Sequence, residues 1–254
     1  MPNTALVRRP GPLLSGGLVT HIERNPPDVA RALAQWNTYV HVLQTAGWTT
    51  LEVPAADDCP DAVFIEDALV VFRDLAVITR PGAPSRRAET AEAEAAAAAL
   101  GLRIARIEEP GTLDGGDVLK VATTVYVGRS GRTNSEGIAQ LRGLIEPLGY
   151  NTVEVPLTKV LHLKSAVTAL PDGTIVGWEP AVDDRTVYPR FVAMPEESGA
   201  HVVDLGHNTL LMASDCPGST ELVAARGYNI VTVDISEFVK LEGCVTCLSV
   251  RVRA

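Results

Sequence analysis

Cys247 sits in Leu241-Glu242-Gly243-Cys244-Val245-Thr246-Cys247-Leu248-Ser249-Val250, and the rest of the chain holds the other parts a cysteine nucleophile needs. His162 lies in Leu161-His162-Leu163-Lys164. Acids cluster in Phe64-Ile65-Glu66-Asp67 and in Leu113-Asp114-Gly115-Gly116-Asp117, and arginines occur in Pro84-Ser85-Arg86-Arg87 and Gly131-Arg132-Thr133-Asn134. A thiol of pKa about 8.5 is mostly protonated at neutral pH and becomes a nucleophile when a nearby cation favours the thiolate. A histidine titrates near working pH, so it can give a proton and later take one. Carboxylates inside apolar runs are costly unless they meet cations or donors. Paired carboxylates match a planar guanidinium, and arginines match a carboxylate in the same way. The combination points to covalent chemistry on a small zwitterion that is also cationic.

Each residue also has a plainer reading. Cys244 and Cys247 form a C-x-x-C, which can be a redox or zinc pair. Zinc would want two further ligands at short spacing, and no second C-x-x-C or H-x-x-x-H exists. A thioredoxin-like pair would open a helix. Here Val245, Leu248, Val250 and Val252 read as a strand running to the C-terminus, which makes Cys247 a thiol at a strand position and Cys244 a bystander. His162, between Leu161 and Leu163, fits a core histidine on the strand face of Val160 and Lys164. Asp61, Glu66 and Asp67 fit a solvated turn between strands, or a guanidinium site with Phe64 as an aromatic wall. Asp-Gly-Gly-Asp is a strong hairpin signal, but Asp114 can instead orient the histidine as the third member of a triad. Arg86 and Arg132 are solvated loop residues, or the two halves of a carboxylate clamp.

The elements that must position these groups are legible. Val29, Leu33, Trp36, Val40 and Leu43 recur at helical spacing after Pro26-Pro27-Asp28, so a helix starts there. Further helices are expected over 85–100, 134–148 and 218–226, each ending at a glycine. Strands are expected at 49–53, 62–65, 68–72, 75–79, 117–121, 124–127, 174–177, 208–213, 229–233 and 246–252. A glycine just past a helix is the expected left-handed cap. Gly47, Gly101, Gly149 and Gly227 each precede apolar residues four and six positions on, and Gly199 does so more loosely. The first four positions in order (47, 101, 149, 199) suggest a repeat of roughly 50 residues, which the step to Gly227 breaks. Spacing alone does not separate such a repeat from ordinary helix–glycine–strand junctions. No Gly/Ser or Pro-rich linker divides the chain, so 1–254 reads as a single domain. A formal charge of −9 argues against a nucleic-acid surface. No apolar run is long enough to cross a bilayer, and the N-terminal residues lack a signal-peptide core. The expectation is a soluble, cytoplasmic protein.

Taken together and in order, Phe64-Ile65-Glu66-Asp67, the stretch Thr79–Arg87, Thr112–Asp117, Leu161–Lys164 and Gly243–Ser249 resemble dimethylarginine dimethylaminohydrolase, of the guanidine-modifying superfamily. The resemblance runs from about Leu18 to Val250. It implies an α/β fold, a five-bladed α/β propeller (pentein) of ββαβ repeats around a central channel. It implies hydrolysis of methylated arginines to citrulline, with Cys247 as nucleophile, His162 as general acid and base, and Asp114 as the carboxylate behind the histidine. Some relatives carry glutamate there, one methylene longer. It further implies that Asp61, Glu66 and Asp67 bind substrate beside Phe64, that Arg86 and Arg132 clamp its carboxylate, and that Leu18 and Leu241 contact its amino-acid end. Leu18 belongs to Ser15-Gly16-Gly17-Leu18-Val19-Thr20-His21, a lid whose glycines make hinges cheap. No metal or organic cofactor is implied. The partner is a small-molecule methylarginine, with no nucleic acid and no membrane, and with a homodimer left open. Rivals are an arginine deiminase-like hydrolase of unmethylated guanidines, a non-catalytic amino-acid-binding protein, and a redox C-x-x-C protein.

Overall fold

The computed structural model describes residues 2–253. Its strands form five separate three-stranded sheets. β1 (Thr4–Val7) leads through α1 (Val29–Thr45) to β2 (Thr49–Glu52), which pairs parallel with it. β3 (Leu69–Phe72) and β4 (Leu75–Ile78) pair antiparallel, and α2 (Thr90–Ala99) carries the chain to β5 (Arg103–Arg106), parallel to β4. β6 (Val118–Val121), β7 (Thr124–Arg129), α3 (Ser135–Ile145) and β8 (Asn151–Pro156) repeat that order. After α4 (Leu163–Ala166) come β9 (Val167–Ala169), β10 (Ile175–Gly177) and β11 (Phe191–Ala193), in the same pairing but without a helix before the third strand. β12 (Val203–Gly206), β13 (Thr209–Ala213), α5 (Pro217–Ala224) and β14 (Asn229–Val233) restore the full unit. After α6 (Ser236–Val239), β15 (Val250–Val252) pairs antiparallel with β1. The last strand thereby supplies the missing member of the first blade, and five three-stranded units, four of them ββαβ, form a five-bladed α/β propeller.

The sequence explains the unit. An antiparallel pair needs only a tight turn, whereas a parallel neighbour needs a crossover, for which a helix is the usual solution. Asp28 caps α1 by accepting from Arg31 N, and Asn134 caps α3 by accepting from Gly137 N. Gly47, Gly101, Gly149 and Gly227 lie at the helix-to-third-strand junctions with φ of +87°, +76°, +87° and +95°. A side chain there would be strained, which is why the four repeat in sequence.

The core closes as a ring. Ala5, Val7, Leu211 and Ala213 share a cluster with α1, while Leu6 packs with Leu69, Val71, Val250 and Val252 on the other side of the same blade. Val70 and Phe72 join Val125 and Val127, and Leu119 and Tyr126 join Val167 and Ile175. Val176 then joins Leu210 and Met212. Successive residues of one strand therefore feed two different inter-blade clusters. Both faces of each blade are buried, so Leu69-Val70-Val71-Phe72 is apolar throughout instead of alternating.

Several expectations are corrected. Residues 62–65 form no strand; Ile65–Asp67 is a 3-10 turn that directs the acids inward. The strand expected over 246–252 holds only Val250–Val252, so Cys247 lies in a turn ahead of it. His162 is not on a strand but caps α4 in extended backbone. Leu33 is exposed, and Ala32, Gln35 and Tyr39 instead accompany Trp36 and Leu43 on the buried face of α1. Gly199 is not a cap of the repeat: it is absent from the left-handed glycines and leads into β12, the first strand of a blade. The divergent copy is the blade of β9 to β11, which lost its helix and is shorter, and this breaks the spacing. β1, β9 and β11 are short and carry no strong pattern of their own.

Tyr39, fully buried on α1, donates to Val245 O (3.0 Å) and pairs with Ser249 Oγ (2.8 Å). Tyr39→Phe leaves a buried carbonyl and hydroxyl short of a partner, so it should lower stability by about 1–3 kcal/mol. Urea denaturation of the two proteins checks this, and an unchanged midpoint would show that the tether carries no load.

Candidate active site

Cys247 and His162 open onto one cavity, which they share with Asp61, Phe64 and Asp67. Leu18, Arg86, Arg132 and Leu241 face the same space. Segments from all around the ring thus meet where the sequence only placed them far apart. Asp114 and Glu66 stand one layer behind the wall, and their partners say why.

The Cys247 turn is held by its own backbone and by Glu66. Cys247 N donates to Cys244 O (3.1 Å), which closes the turn. Glu66 N donates to Cys247 O (3.2 Å), and the Glu66 carboxylate accepts from Thr246 Oγ1 (2.8 Å) and meets Lys164 Nζ (2.6 Å). Glu66 was expected to bind substrate. Its carboxylate is instead taken up in fixing the Cys247 turn to the His162 segment, because a buried acid must find donors.

His162 is held by its carboxylates. Its Nε2 lies 3.0 Å from Asp114 Oδ2, so the aspartate spans the distance despite its shorter side chain. Its Nδ1 lies 3.9 Å from Asp67 Oδ1. Asp117 accepts from Leu163 N (2.9 Å) and Ser130 Oγ (2.7 Å), which fixes the backbone next to the imidazole. The Gly115-Gly116 pair forms no hairpin tip. A side chain on Gly115 would meet Glu66 O at 2.0 Å, and one on Gly116 would meet His162 Nδ1 at 2.6 Å. Only glycine lets the acid-bearing turns and the imidazole approach this closely.

These contacts set the charges. Burial disfavours the His162 imidazolium, but Asp67, Asp117 and Asp114 outweigh it and raise the pKa to about 9. Burial likewise opposes the Asp67 carboxylate, yet His162, Arg86 and the Gly116 N–H bring its pKa down to about 2. Burial pushes Asp117 up to about 6. The Cys247 thiol is raised well above its ordinary value by its contact with Cys244, by burial, and by the charges of Glu66 and Asp67. At neutral pH the resting site therefore holds an imidazolium and a neutral thiol.

The arginines differ. Arg86 is buried, and its Nε, Nη1 and Nη2 donate to Glu89, Asp67 and the carbonyls of Asp61 and Phe64. It was expected to offer half of a clamp, but its fork is already filled by buried acids that need a counter-ion. Arg132 touches Asp114 Oδ2 through Nη1 at 3.4 Å and otherwise faces the cavity. Asp61 accepts from Leu18 N (3.0 Å), which ties the expected lid to the wall. Asp67, Asp114 and His162 bring potential metal-ligand atoms within 4.8 Å of one another. Arg86 on Asp67 and Arg132 on Asp114 already supply the positive charge a cation would bring.

Leu161, Glu242 and Gly243 also line the cavity and were not anticipated. Glu242 has φ +60°, and its carboxylate accepts from Thr20 N (2.7 Å) and His21 N (2.9 Å), fastening the lid segment to the Leu241 turn. A Glu-Gly pair just before the cysteine motif was the one available signal.

A thiol and a carboxylate-backed imidazole facing one cavity in a five-bladed α/β propeller define a cysteine enzyme of the guanidine-modifying class. No protein-family model matches the chain. It is 63 % identical over 249 residues to an N(G),N(G)-dimethylarginine dimethylaminohydrolase of Streptomyces coelicolor, covering 98 % of this chain and 96 % of the relative. It superposes with a TM-score of 0.92 and 34 % identity on DDAH from Pseudomonas aeruginosa, a cysteine-to-serine mutant complexed with citrulline, covering 99 % of both chains. A dimethylarginine dimethylaminohydrolase adduct with S-methyl-L-thiocitrulline, a histidine-to-glycine variant, also gives 0.92 at 34 % identity, over 99 % of this chain and 100 % of the other. The chain belongs to the dimethylarginine dimethylaminohydrolase family. Among the described residues no helix is long and apolar enough to cross a membrane.

Because the folded pKa of His162 is raised to about 9, its charged form contributes stability that is complete below the unfolded value of about 6.5 and is lost as pH rises through about 9. Asp114→Asn should move the imidazole titration down, and the stability gap to the parent protein should shrink above pH about 9. Imidazole NMR titration with parallel denaturation curves measures both. An unmoved titration would remove Asp114 as the anchor of His162.

Proposed function

We propose that the chain hydrolyses Nω-methylated arginines, asymmetric dimethylarginine and monomethylarginine, to citrulline with release of dimethylamine or methylamine. The observation that carries this reading is the shared cavity of Cys247 and His162, lined also by the carboxylates of Asp61 and Asp67 and by Arg132. In this reading Asp61 and Asp67, which line the cavity, accept from the guanidinium, and Phe64 offers an apolar wall for its methyl groups. Arg132 takes the carboxylate end, with Leu18 and Leu241 at the amino-acid end.

The chemistry follows from the protonation states. The resting Cys247 thiol is neutral, because Cys244, burial and the acids disfavour the thiolate. A bound guanidinium reverses that balance, the thiol releases its proton to water, and sulfur adds to the central guanidine carbon. His162, charged below pH about 9, donates a proton to the departing amine. The C–N bond breaks and an S-alkylthiouronium on Cys247 remains. His162, now neutral, takes a proton from water while the hydroxide adds to the same carbon. Collapse breaks the C–S bond and returns citrulline, the hydroxyl proton going to the Cys247 sulfur to restore the resting thiol.

Cys247→Ser should abolish citrulline release from a folded protein, while Cys244→Ser should stay within a few-fold of the parent. A colorimetric citrulline assay with dimethylarginine, monomethylarginine and arginine side by side reads both outcomes. Turnover of arginine alone would move the assignment to a deiminase, and full activity in Cys247→Ser would remove the nucleophile.

The two arginines should separate by readout. Arg132→Ala removes a charged hydrogen bond to the substrate of about 1.5–3 kcal/mol, a loss of roughly 10–100-fold in kcat/KM mostly through KM. Arg86→Ala strips Asp67 and Glu89 of their buried counter-ion and should cost stability by about 3–5 kcal/mol. Steady-state kinetics and thermal melts of the two variants decide it. A stable, KM-only Arg86→Ala would restore the expected clamp.

A further inference from the structure

Cys244 is unused by this mechanism, yet its Sγ lies 3.3 Å from Cys247 Sγ, and both are free thiols. The backbone already suits a bridge. Cys247 N donates to Cys244 O (3.1 Å), and a turn closed in this way holds its end Cα atoms within about 7 Å, inside the range disulfides span. Access is ordered as well. Cys247 is only partly buried and opens on the cavity, whereas Cys244 is buried behind it against Thr246 Oγ1 (3.3 Å). An oxidant entering from solvent meets Cys247 first and Cys244 second. Cys216, by contrast, is buried elsewhere and donates to Ala213 O.

We propose that Cys244 is a resolving thiol, which converts hydroperoxide attack on Cys247 into a reversible Cys244–Cys247 disulfide. The small fraction of Cys247 present as thiolate attacks the peroxide, the O–O bond breaks, and a sulfenic acid and hydroxide form. Cys244 sulfur then displaces the sulfenic hydroxyl. The S–O bond breaks, an S–S bond forms, and water leaves with the thiol proton. A dithiol reductant reverses the step by exchange, becoming a disulfide itself as both cysteines return to thiols. Without Cys244 the sulfenic acid would persist and be oxidised further to sulfinic acid, which thiols do not reduce.

The effect on activity rests on Cys247 being the nucleophile, but the disulfide itself does not. The purified protein is treated with hydrogen peroxide in the absence of thiols and divided between intact-mass measurement, peptide mapping and the citrulline assay. The parent protein should lose two hydrogens, show a peptide linking residues 244 and 247, lose its activity, and recover it fully with dithiothreitol. Cys244→Ala, with the closely matched Cys244→Ser as a second variant, should gain oxygen atoms and recover little. Oxygen uptake by the parent without the 244–247 link overturns the proposal, as does full recovery in both variants. Absent hydrolysis with an intact disulfide result would sink the proposed function alone. Hydrolysis with no disulfide would sink this proposal alone.

Discussion

The Asp67 carboxylate has almost no access to water, and the site is arranged around keeping it charged. It accepts from Arg86 Nη1 (2.6 Å) and Gly116 N (2.8 Å) and faces the His162 ring. Burying such an ion costs several kcal/mol unless cations and donors compensate. That requirement explains why Arg86 is spent inside the protein and not on a ligand, and why Glu89 is needed to balance it. It also explains why Gly116, where a Cβ would lie 2.8 Å from Asp67 Oδ1, must lack a side chain. The same charge, with Asp117 and Asp114, keeps His162 protonated, and it adds to the effects of Cys244, burial and Glu66 that disfavour the Cys247 thiolate.

Such a cluster needs a rigid frame, and the ring of blades provides one. Each inter-blade cluster is shared by two sheets, so no blade is packed on one side only. β15 closes the ring against β1 three residues after Cys247. The turn that carries Cys247 is therefore pinned at its C-terminal end by a strand, from α1 by Tyr39, and beneath by Glu66. Lys164 links that turn to the histidine segment through the same glutamate. The imidazole and the sulfur come from opposite parts of the chain, yet a single carboxylate ties their loops together.

Two residues show how local rules and tertiary demands diverge. Asp-Gly-Gly-Asp reads as a hairpin because its residues favour tight turns, but the glycines are there for clearance between three chain segments. Glu66 reads as a ligand for a guanidinium because acids in apolar runs need cations. The need is real, and Lys164 of the protein itself meets it. In both cases the physical demand was visible in the sequence and its partner was not.

By itself the sequence determined the four longer helices (α1, α2, α3 and α5), the left-handed glycines that end them, most of the strand pairs, and the residue types of the site. These follow from short-range sterics and periodicity, which a chain carries locally. The tertiary structure decided which copy of the repeat had lost its helix, that Cys247 lies in a turn and not on a strand, and how the charges are shared. Arg86 and Arg132 look alike in sequence, but one is enclosed by acids and the other faces the cavity. Burial and pairing depend on segments distant in the chain, so only their meeting fixes which charged group is structural and which is left for a substrate.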